Sequence, residues 1–539
     1  MLCGQGFVPT GTGQYFLDDA VFQIGQSLRT DLKTDLHLLR IDWCRTGRRS
    51  RGECPDRPIK NAAAGAPTVA GNAATNTRQT GGFGLDNSET LDGNNLVQPR
   101  IGFNWNLGTK ERKMQLRGGF GLFEGAAANV WLSNPYSNTG AAVAFFGCGV
   151  SAELSGGTAN RAACSTAGVF SPDPTKQAAL GANPAPAVDF LDSNLSQPSI
   201  WKANLAFDTE LPWFGLTAGA EWLHTKNKQG VFYQHLNLGA VTRTGSDGRE
   251  LYYNANGFNT NCWTAAGGTT AGTGCGGTVL SRSLNNASFG NVTLAKGSSL
   301  GGGDAITLSL SQQPTRELGW SAAYTRSSAT EVSPLTSSVA NSNFNARSIF
   351  NPNEEVAANS AYLVRDRFNA AVNWSKALWG SYRTTVGLFY EGRRGKTYSW
   401  TINNDLNGDG LAGNDLMYIP SAPGSGDVVF AGGAAEEARF WDYVSRFPEL
   451  NGSKGKVVKR NGSFAPFTNS FDLRLAQEVP GFTSKQKGTF TFDILNVGNL
   501  LNSKWGRTEE IAFQGAGGGA RSFVNYKGLT ADGKYIYSM

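Results

Sequence analysis

The feature that most constrains this 539-residue chain is a recurring segment of about ten residues in which apolar and polar side chains alternate. In one such segment Phe471, Leu473 and Leu475 share one face of a strand, because strand side chains have a period of two. Asp472 and Arg474 point to the other face. The pattern recurs beside many long polar connections, which a soluble β-sandwich would rarely sustain. It indicates a sheet whose apolar face meets lipid and whose polar face meets a watery lumen.

Alternating segments continue from Ile101 onward and number roughly fourteen to sixteen. Short turns alternate with long loops, as in outer-membrane barrels, whose periplasmic turns are short and whose outer loops are long. We therefore predict an all-β fold, a transmembrane antiparallel β-barrel over residues 98–539, in the outer membrane of a Gram-negative bacterium. The polar residues expected to face the lumen are Lys202, Asn204, Asp208, Arg367, Asn369, Asn373, Asp472, Arg474 and Asp493.

Composition and charge argue against several other classes of protein. No run approaches the ~18 apolar residues that a membrane-spanning helix needs. The net charge of +6 comes from scattered residues, so nucleic-acid binding has little support. The three histidines, His37, His224 and His235, form no metal-spaced cluster, and we expect the latter two to be solvated or interfacial residues that flank a hairpin. No Ser/His/Asp or Cys/His arrangement indicates catalysis, so a secreted soluble β-rich enzyme is the least favoured alternative.

Two pairs of cysteines indicate an oxidising compartment. Cys148 and Cys164 lie in one Gly/Ala/Ser-rich segment, and Cys262 and Cys275 lie in another. We interpret each pair as a loop-closing disulfide, which would form in the cell envelope. The alternatives are free thiols or a metal site, but lone cysteines at these spacings are poor zinc ligands.

The N-terminal part of the chain differs from the rest in its pattern of apolar and charged residues. Residues 1–55 lack period-two alternation, are rich in charge over 28–51, and begin without a secretory signal. Because an outer-membrane protein must be exported, we expect either a fragment or a misassigned start. Residues 56–97 are rich in Ala, Gly, Asn and Thr and are predicted to form a loop.

Two local elements are predicted toward the C-terminus. Phe440, Val444 and Phe447 recur at helical spacing, which predicts a helix over 436–447 inside a large outer loop. Residues 535–539 alternate as the final strand of a barrel should.

The strongest chemical motif is the sequence Asp-Leu-Asn-Gly-Asp-Gly. Asp405, Asn407 and Asp409 place oxygen ligands at its first, third and fifth positions, and a glycine at the sixth allows a sharp turn, as in the opening of a Ca²⁺ loop. The twelfth position, where an EF-hand carries a carboxylate, is Leu416, but a variant loop could use Asp415 instead. We predict a candidate calcium site here. The alternative is a polar Asx-turn in an exposed loop.

Several longer motifs resemble TonB-dependent outer-membrane receptors. Residues 492–502, Phe-Asp-Ile-Leu-Asn-Val-Gly-Asn-Leu-Leu-Asn, resemble a late barrel strand of that family, as do residues 388–395 with 398–400. Similarity to the Oar-like branch comes from residues 98–103 with 116–119, residues 131–138, and residues 407–420. Together these motifs extend the resemblance over residues 98–539.

The resemblance implies a 22-stranded barrel whose lumen is closed by an N-terminal plug. Such receptors import scarce large solutes with energy passed on by TonB. This sequence has no recognisable TonB box, plug or leading β-sandwich extension. From the resemblance, the expected function is that of a receptor barrel for TonB-coupled uptake of an unidentified solute. The alternative is a surface structural or adhesive barrel that does not depend on TonB. The expected partners are outer-membrane lipid, a solute or surface ligand, and the TonB system only if a plug is supplied.

Overall fold

The computed structural model describes residues 83–85, 87, 89–91, 94–109, 112–138, 140, 185–277, 280–312, 317–483, 486–511 and 520–539, together with the backbone of two short paired strands, Val21–Phe22 and Leu38–Leu39. The disulfide predicted between Cys148 and Cys164 lies outside these residues. So do nearly all of residues 1–55 and most of the predicted loop 56–97.

Ten long strands form one antiparallel sheet and follow each other in chain order. They are β1 (Arg100–Asn106), β2 (Met114–Glu124), β3 (Ser199–Glu210), β4 (Leu216–His235), β5 (Gly302–Gln312), β6 (Leu318–Glu331), β7 (Asp366–Trp379), β8 (Tyr382–Arg394), β9 (Phe467–Pro480) and β10 (Lys487–Ile494). The antiparallel, all-β prediction is confirmed. Among the described residues, β1 and β10 pair on one side only. With three shorter strands, the sheet has thirteen strands among these residues, against the roughly fourteen to sixteen expected.

The strand register places apolar side chains on one face of the whole sheet. Trp222 on β4 lies opposite Leu205 on β3 and opposite Ile306 on β5, and all three side chains are exposed. The same face continues through Phe368 on β7 to Phe492 on β10, which are also exposed. A continuous exposed apolar face of this kind is typical of a sheet whose outer solvent is lipid.

All nine residues predicted to face the lumen lie on the opposite, polar face, because each is one register step from the apolar rows. Opposite charges on this face meet across neighbouring strands. Arg474 on β9 contacts Asp493 on β10 at 2.7 Å, and Arg367 on β7 contacts Glu391 on β8 at 2.5 Å. The polar face therefore carries charges of both signs that largely pair with each other.

The two ends of the sheet differ in the length of their connections. At one end, turns of a few residues join β1 to β2, β3 to β4, β5 to β6, β7 to β8 and β9 to β10. Exposed aromatic side chains, among them Trp213, Phe214 and Trp379, lie at this end. At the other end the connections are long and span residues 125–198, 236–301, 332–365 and 395–466. This is the asymmetry that the sequence predicts.

Residues 236–301, 395–466 and 520–539 pack into a separate hydrophobic core at the long-loop end, which we call the cap. Short strands in and around it are Val188–Leu191, Arg243–Thr244, Glu250–Leu251, Val292–Ser298, Ala358–Asn359, Thr397–Thr401, Tyr418–Ile419, Val429–Phe430, Lys456–Val457, Ser463–Phe464, Ala520–Ser522, Asn525–Leu529 and Tyr535–Ser538. The long connections also carry α1 (Asn129–Ser137), α2 (Ala255–Phe258), α3 (Ala340–Asn345), α4 (Gly433–Ser445) and α5 (Pro448–Asn451), with a 3₁₀ turn at Thr260–Cys262. A second 3₁₀ turn, Val497–Leu500, follows β10. Within the described residues, every helix is too short or too polar to cross a bilayer.

Helix α4 confirms the helix predicted over 436–447, although it begins three residues earlier, at Gly433. Its buried side chains include Phe440 and Val444, which face the cap core. Phe447 packs against that core from just beyond the helix end. Pro448 begins α5, because a proline is favoured in the first turn of a helix.

The prediction that residues 535–539 form the final barrel strand is wrong. Tyr535–Ser538 pairs with Asn525–Leu529 and, in parallel, with Val429–Phe430 inside the cap. Tyr535 and Tyr537 are fully buried there. Alternation indicates a strand with one buried face, but it does not say which sheet the strand joins.

Two short strands extend the sheet at its long-loop end and form a smaller layer there. The long-loop end of β4 pairs with Val292–Ser298, which in turn pairs in parallel with Val188–Leu191. His235, the last residue of β4, is buried in this layer, and its Nε2 lies 3.2 Å from Oδ1 of Asn291. His224 lies on the same strand, so the two histidines do not flank a hairpin. Of the solvated or interfacial positions expected for them, a solvated one does not apply to His235, which is buried.

Candidate functional site

The predicted calcium residues lie together in one tight turn of the cap, residues 405–415, which we call the acidic turn. The side chain of Asp405 accepts hydrogen bonds from the backbone N–H groups of Gly408 at 2.6 Å and Gly410 at 2.8 Å. Asn407 accepts from the N–H of Asp409 at 2.7 Å. Gly408 and Gly410 have φ of 79° and 94°, a conformation that glycine adopts at little cost. The Asp-Leu-Asn-Gly-Asp-Gly sequence therefore folds as a succession of side-chain-capped turns.

The fourth predicted residue, Asp415, contacts the start of the turn from its end. Its Oδ2 accepts from the N–H of Leu406 at 2.8 Å, and its Oδ1 accepts from Nη1 of Arg249 at 3.0 Å. Arg249 is fully buried, and it also contacts Asp247 at 3.3 Å and the carbonyl oxygen of Leu416. This arginine belongs to the 236–301 connection and so joins two cap segments. No sequence pattern indicates this pair, because its members are 166 residues apart.

The acidic turn concentrates negative charge in a poorly solvated place. Asp409 and Asp415 are buried and Asp405 is partly buried. Burial and the Asp415 carboxylate raise the pKa of Asp405 to about 7. Burial and the two neighbouring carboxylates raise the pKa of Asp409 well above its usual range. Burial also raises the pKa of Asp415, against the opposing charge of Arg249.

The turn contains amide oxygens as well as carboxylates. Asn414 is fully buried, its Nδ2 donates to Oδ2 of Asp409 at 3.0 Å, and its Oδ1 has no hydrogen-bond partner. Among the described residues, no three His, Cys, Asp or Glu side chains converge to hold a metal ion by themselves. A cation here would therefore need amide or backbone oxygens too, and the calcium interpretation stays a prediction. Asn414 is not among the ligands that the sequence predicts.

A disulfide joins Cys262 and Cys275 beside the acidic turn, with Cα atoms 5.3 Å apart. Both cysteines are fully buried in the cap core. Tyr253, on the same connection, donates from its hydroxyl to the carbonyl oxygen of Asp405 at 3.1 Å. The disulfide loop and the acidic turn are therefore neighbours in one packed unit.

Replacing Cys262 and Cys275 together with alanine is expected to destabilise the cap by about 3 kcal/mol, the value typical for a closed loop of this size. Alanine avoids burying the hydroxyl that serine would introduce. The measurement is the urea midpoint of the near-ultraviolet circular dichroism of the cap's aromatic side chains. An unchanged midpoint would show that the disulfide does not support the cap.

A cavity of about 390 Å³ lies where the polar face of the sheet meets the long loops. It is lined by residues near the ends of β3, β4 and β6 and by Trp131 of α1. Its polar lining includes Ser199, Asn227 and Gln229, and Glu331 is the one ionisable group among its described lining residues. The lining of the cavity is therefore a mostly neutral mixture of amide, hydroxyl and apolar groups at the long-loop end of the polar face.

Comparison with known proteins bears on the whole chain. No curated relative matches it. Among solved structures, the outer membrane transporter YddB from Escherichia coli is similar at 8% identity, with a TM-score of 0.33 over 79% of this chain and 37% of that one. This chain thus spans well under half the length of that transporter. Residues 56–509 match a family model described as an outer membrane beta barrel domain, which covers most of the sequence. The chain belongs to this outer-membrane β-barrel family and lies in the outer membrane.

Proposed function

We propose that this chain is the barrel portion of an outer-membrane receptor that takes up a solute by TonB coupling. The observation that carries the proposal is the cavity at the long-loop end of the polar face. Paired charges lie elsewhere on the polar face, among them Arg117 with Asp208 on β2 and β3, and Arg474 with Asp493 on β9 and β10. A transport path needs such a polar surface behind its entrance, because a permeating solute must exchange water for protein polar groups.

The proposed role is non-catalytic. The cap would capture the solute, and the cavity would deliver it to the polar face of the barrel. TonB would act through a plug that closes the lumen, as the resemblance to TonB-dependent receptors implies. The second candidate, a structural or adhesive surface barrel, requires neither the cavity nor TonB.

The decisive experiment measures uptake in the native host. Cells with the gene deleted and cells depleted of TonB would be compared for import of three labelled probes, a ferric hydroxamate siderophore, cyanocobalamin and a maltodextrin. We expect both strains to lose import of the same probe. Uptake of every probe unchanged by the deletion, or a loss that does not require TonB, would favour the structural alternative.

A substitution in the cavity refines this test. Gly125 lines the cavity, and a Cβ atom added there meets only the carbonyl oxygen of Pro198, at an ordinary van der Waals distance. The backbone therefore has room for the Cβ of Gly125→Trp, whose ring should occupy part of the cavity and reduce import of the identified probe. The matched control is Ala422→Trp on the exposed surface of the cap, which should leave import unchanged. Equal import by the two variants would remove the cavity from the path.

A further inference from the structure

We propose that the acidic turn, residues 405–415, binds one calcium ion and that this ion fastens together two connections of the cap. The proposal goes beyond solute uptake and does not depend on it. It rests on buried carboxylates that outnumber the neighbouring guanidinium groups and on a buried oxygen atom without a partner.

The charge balance around the turn favours a divalent cation. Asp405, Asp409 and Asp415 lie within the turn, and Asp247 joins them through its contact with Arg249. Arg249 and the neighbouring Arg282 supply the positive charge within reach of these carboxylates. With every carboxylate ionised, four carboxylates and two guanidinium groups would leave an excess of two negative charges. Buried charges of one sign are strongly unfavourable unless they are neutralised, and one divalent cation would cancel this excess.

A second, independent observation comes from Asn414. This side chain is fully buried, and one end of its carboxamide donates to Oδ2 of Asp409. The other end, Oδ1, has no hydrogen-bond partner. A buried carbonyl oxygen without a partner is costly, and most such groups in proteins are satisfied. Because the same carboxamide contacts Asp409 through its Nδ2, the unpartnered oxygen lies at the acidic turn.

The chemistry of the donors selects calcium over other metals. The side chains available are carboxylates and amides, whereas transition metals favour the nitrogen and sulfur ligands of His and Cys. Ca²⁺ accepts 6–8 oxygen ligands in irregular geometry and uses amide and backbone carbonyl oxygens readily. Mg²⁺ demands a near-ideal octahedron and gives up its waters reluctantly. An irregular turn in which carboxylates alone do not suffice therefore suits Ca²⁺.

The position of the turn says what the ion would do. Asp415 contacts Arg249, and the backbone N–H of Tyr252 donates to the carbonyl oxygen of Asn407 at 2.7 Å. Both contacts cross from the 395–466 connection to the 236–301 connection. An ion that holds the acidic turn rigid would therefore stabilise the junction between these connections.

The test uses the full chain, extracted from outer membranes in detergent and stripped of metal with EDTA. Isothermal calorimetry with CaCl₂ should give one site with Kd on the order of 10⁻⁴ to 10⁻³ M, as in other extracellular modules. Asp409→Asn, which preserves the size of the side chain, should weaken binding by about tenfold or more, because affinity follows the number of ligand charges. The matched control is Asp532→Asn, whose carboxylate is exposed in the same cap and should bind Ca²⁺ as the unaltered chain does.

A thermal melt keeps the proposal testable if a variant folds poorly. Without calcium, Asp409→Asn should melt somewhat lower than the unaltered chain, because its new amide NH2 faces either the N–H of Leu411 or Nδ2 of Asn414, so the gain of each variant is measured from its own metal-free melt. With calcium, only the unaltered chain and Asp532→Asn should gain stability. Absence of both heat and a melting shift in the folded, unaltered chain at millimolar Ca²⁺ would overturn the proposal. An equal loss of binding in Asp409→Asn and Asp532→Asn would do the same.

Discussion

Replacing Arg249 with methionine is expected to lower the free energy of unfolding of the cap by about 3–5 kcal/mol. Methionine approximates the length of the side chain but removes its charge. Asp415 and Asp247, whose side chains are both buried, would then lose their shared partner, and the carbonyl oxygen of Leu416 would lose a donor. Breaking a buried ion pair on one side costs this much because the remaining charge stays buried without compensation. The measurement is a urea titration of the near-ultraviolet circular dichroism of the cap.

Two further variants make this prediction specific. Arg446→Met removes an exposed arginine that pairs with Asp442 on α4, and it should cost less than about 1 kcal/mol. Arg249→Met combined with Asp415→Asn should recover part of the lost stability, because it also removes the charge left without a partner. If Arg249→Met and Arg446→Met shifted the urea midpoint equally, the buried pair would not be what holds these connections together.

Replacing Trp400 with alanine is expected to destabilise the cap by about 3–5 kcal/mol, the usual cost of removing a large buried aromatic side chain. Trp400 is only 2% exposed, and its Nε1 donates to Oγ of Ser463 at 2.9 Å. Its ring lies 4.8 Å from the ring of Phe447 and 5.8 Å from that of Phe523, between centroids. Alanine would leave a cavity at the place where the 395–466 connection meets the C-terminal segment.

Trp379→Ala is the matched control for this variant. Trp379 is 65% exposed at the short-turn end of the sheet, at the opposite end from the cap. Its removal should leave the urea midpoint of the cap unchanged. A destabilisation of the cap as large as that of Trp400→Ala would mean that the signal follows the whole protein rather than the cap.

The sheet was predictable because its information is local. A period-two pattern needs only neighbouring residues, so the sequence alone is enough to identify segments such as β9 and β10 and to assign their faces. The order of the strands makes the prediction easier still, because each long strand pairs with the next one in sequence. Helix α4 was predictable for the same reason, because the spacing of Phe440 and Val444 is a local signal.

The cap was less predictable because its partners are distant in sequence. The acidic turn was found through its own motif, but Arg249 could not be assigned to it by any pattern within the 236–301 connection. Tyr535 and Tyr537 presented the alternation of a barrel strand, and only the packing of the cap core decides that they belong there. Which long-range partner a segment finds depends on packing throughout the core, which a single sequence does not reveal.

The cap is built from three segments that are distant in sequence, and this affects the order in which the protein folds. The ten strands form hairpins between neighbours, whose loops close at small entropic cost wherever the turn is short. In the cap, by contrast, the hydroxyl of Tyr526 donates to the carbonyl oxygen of Gly257, which is 269 residues away. Contacts of such long range form late, after the sheet has drawn its loop ends together. Substitutions in the cap should therefore speed unfolding far more than they slow folding.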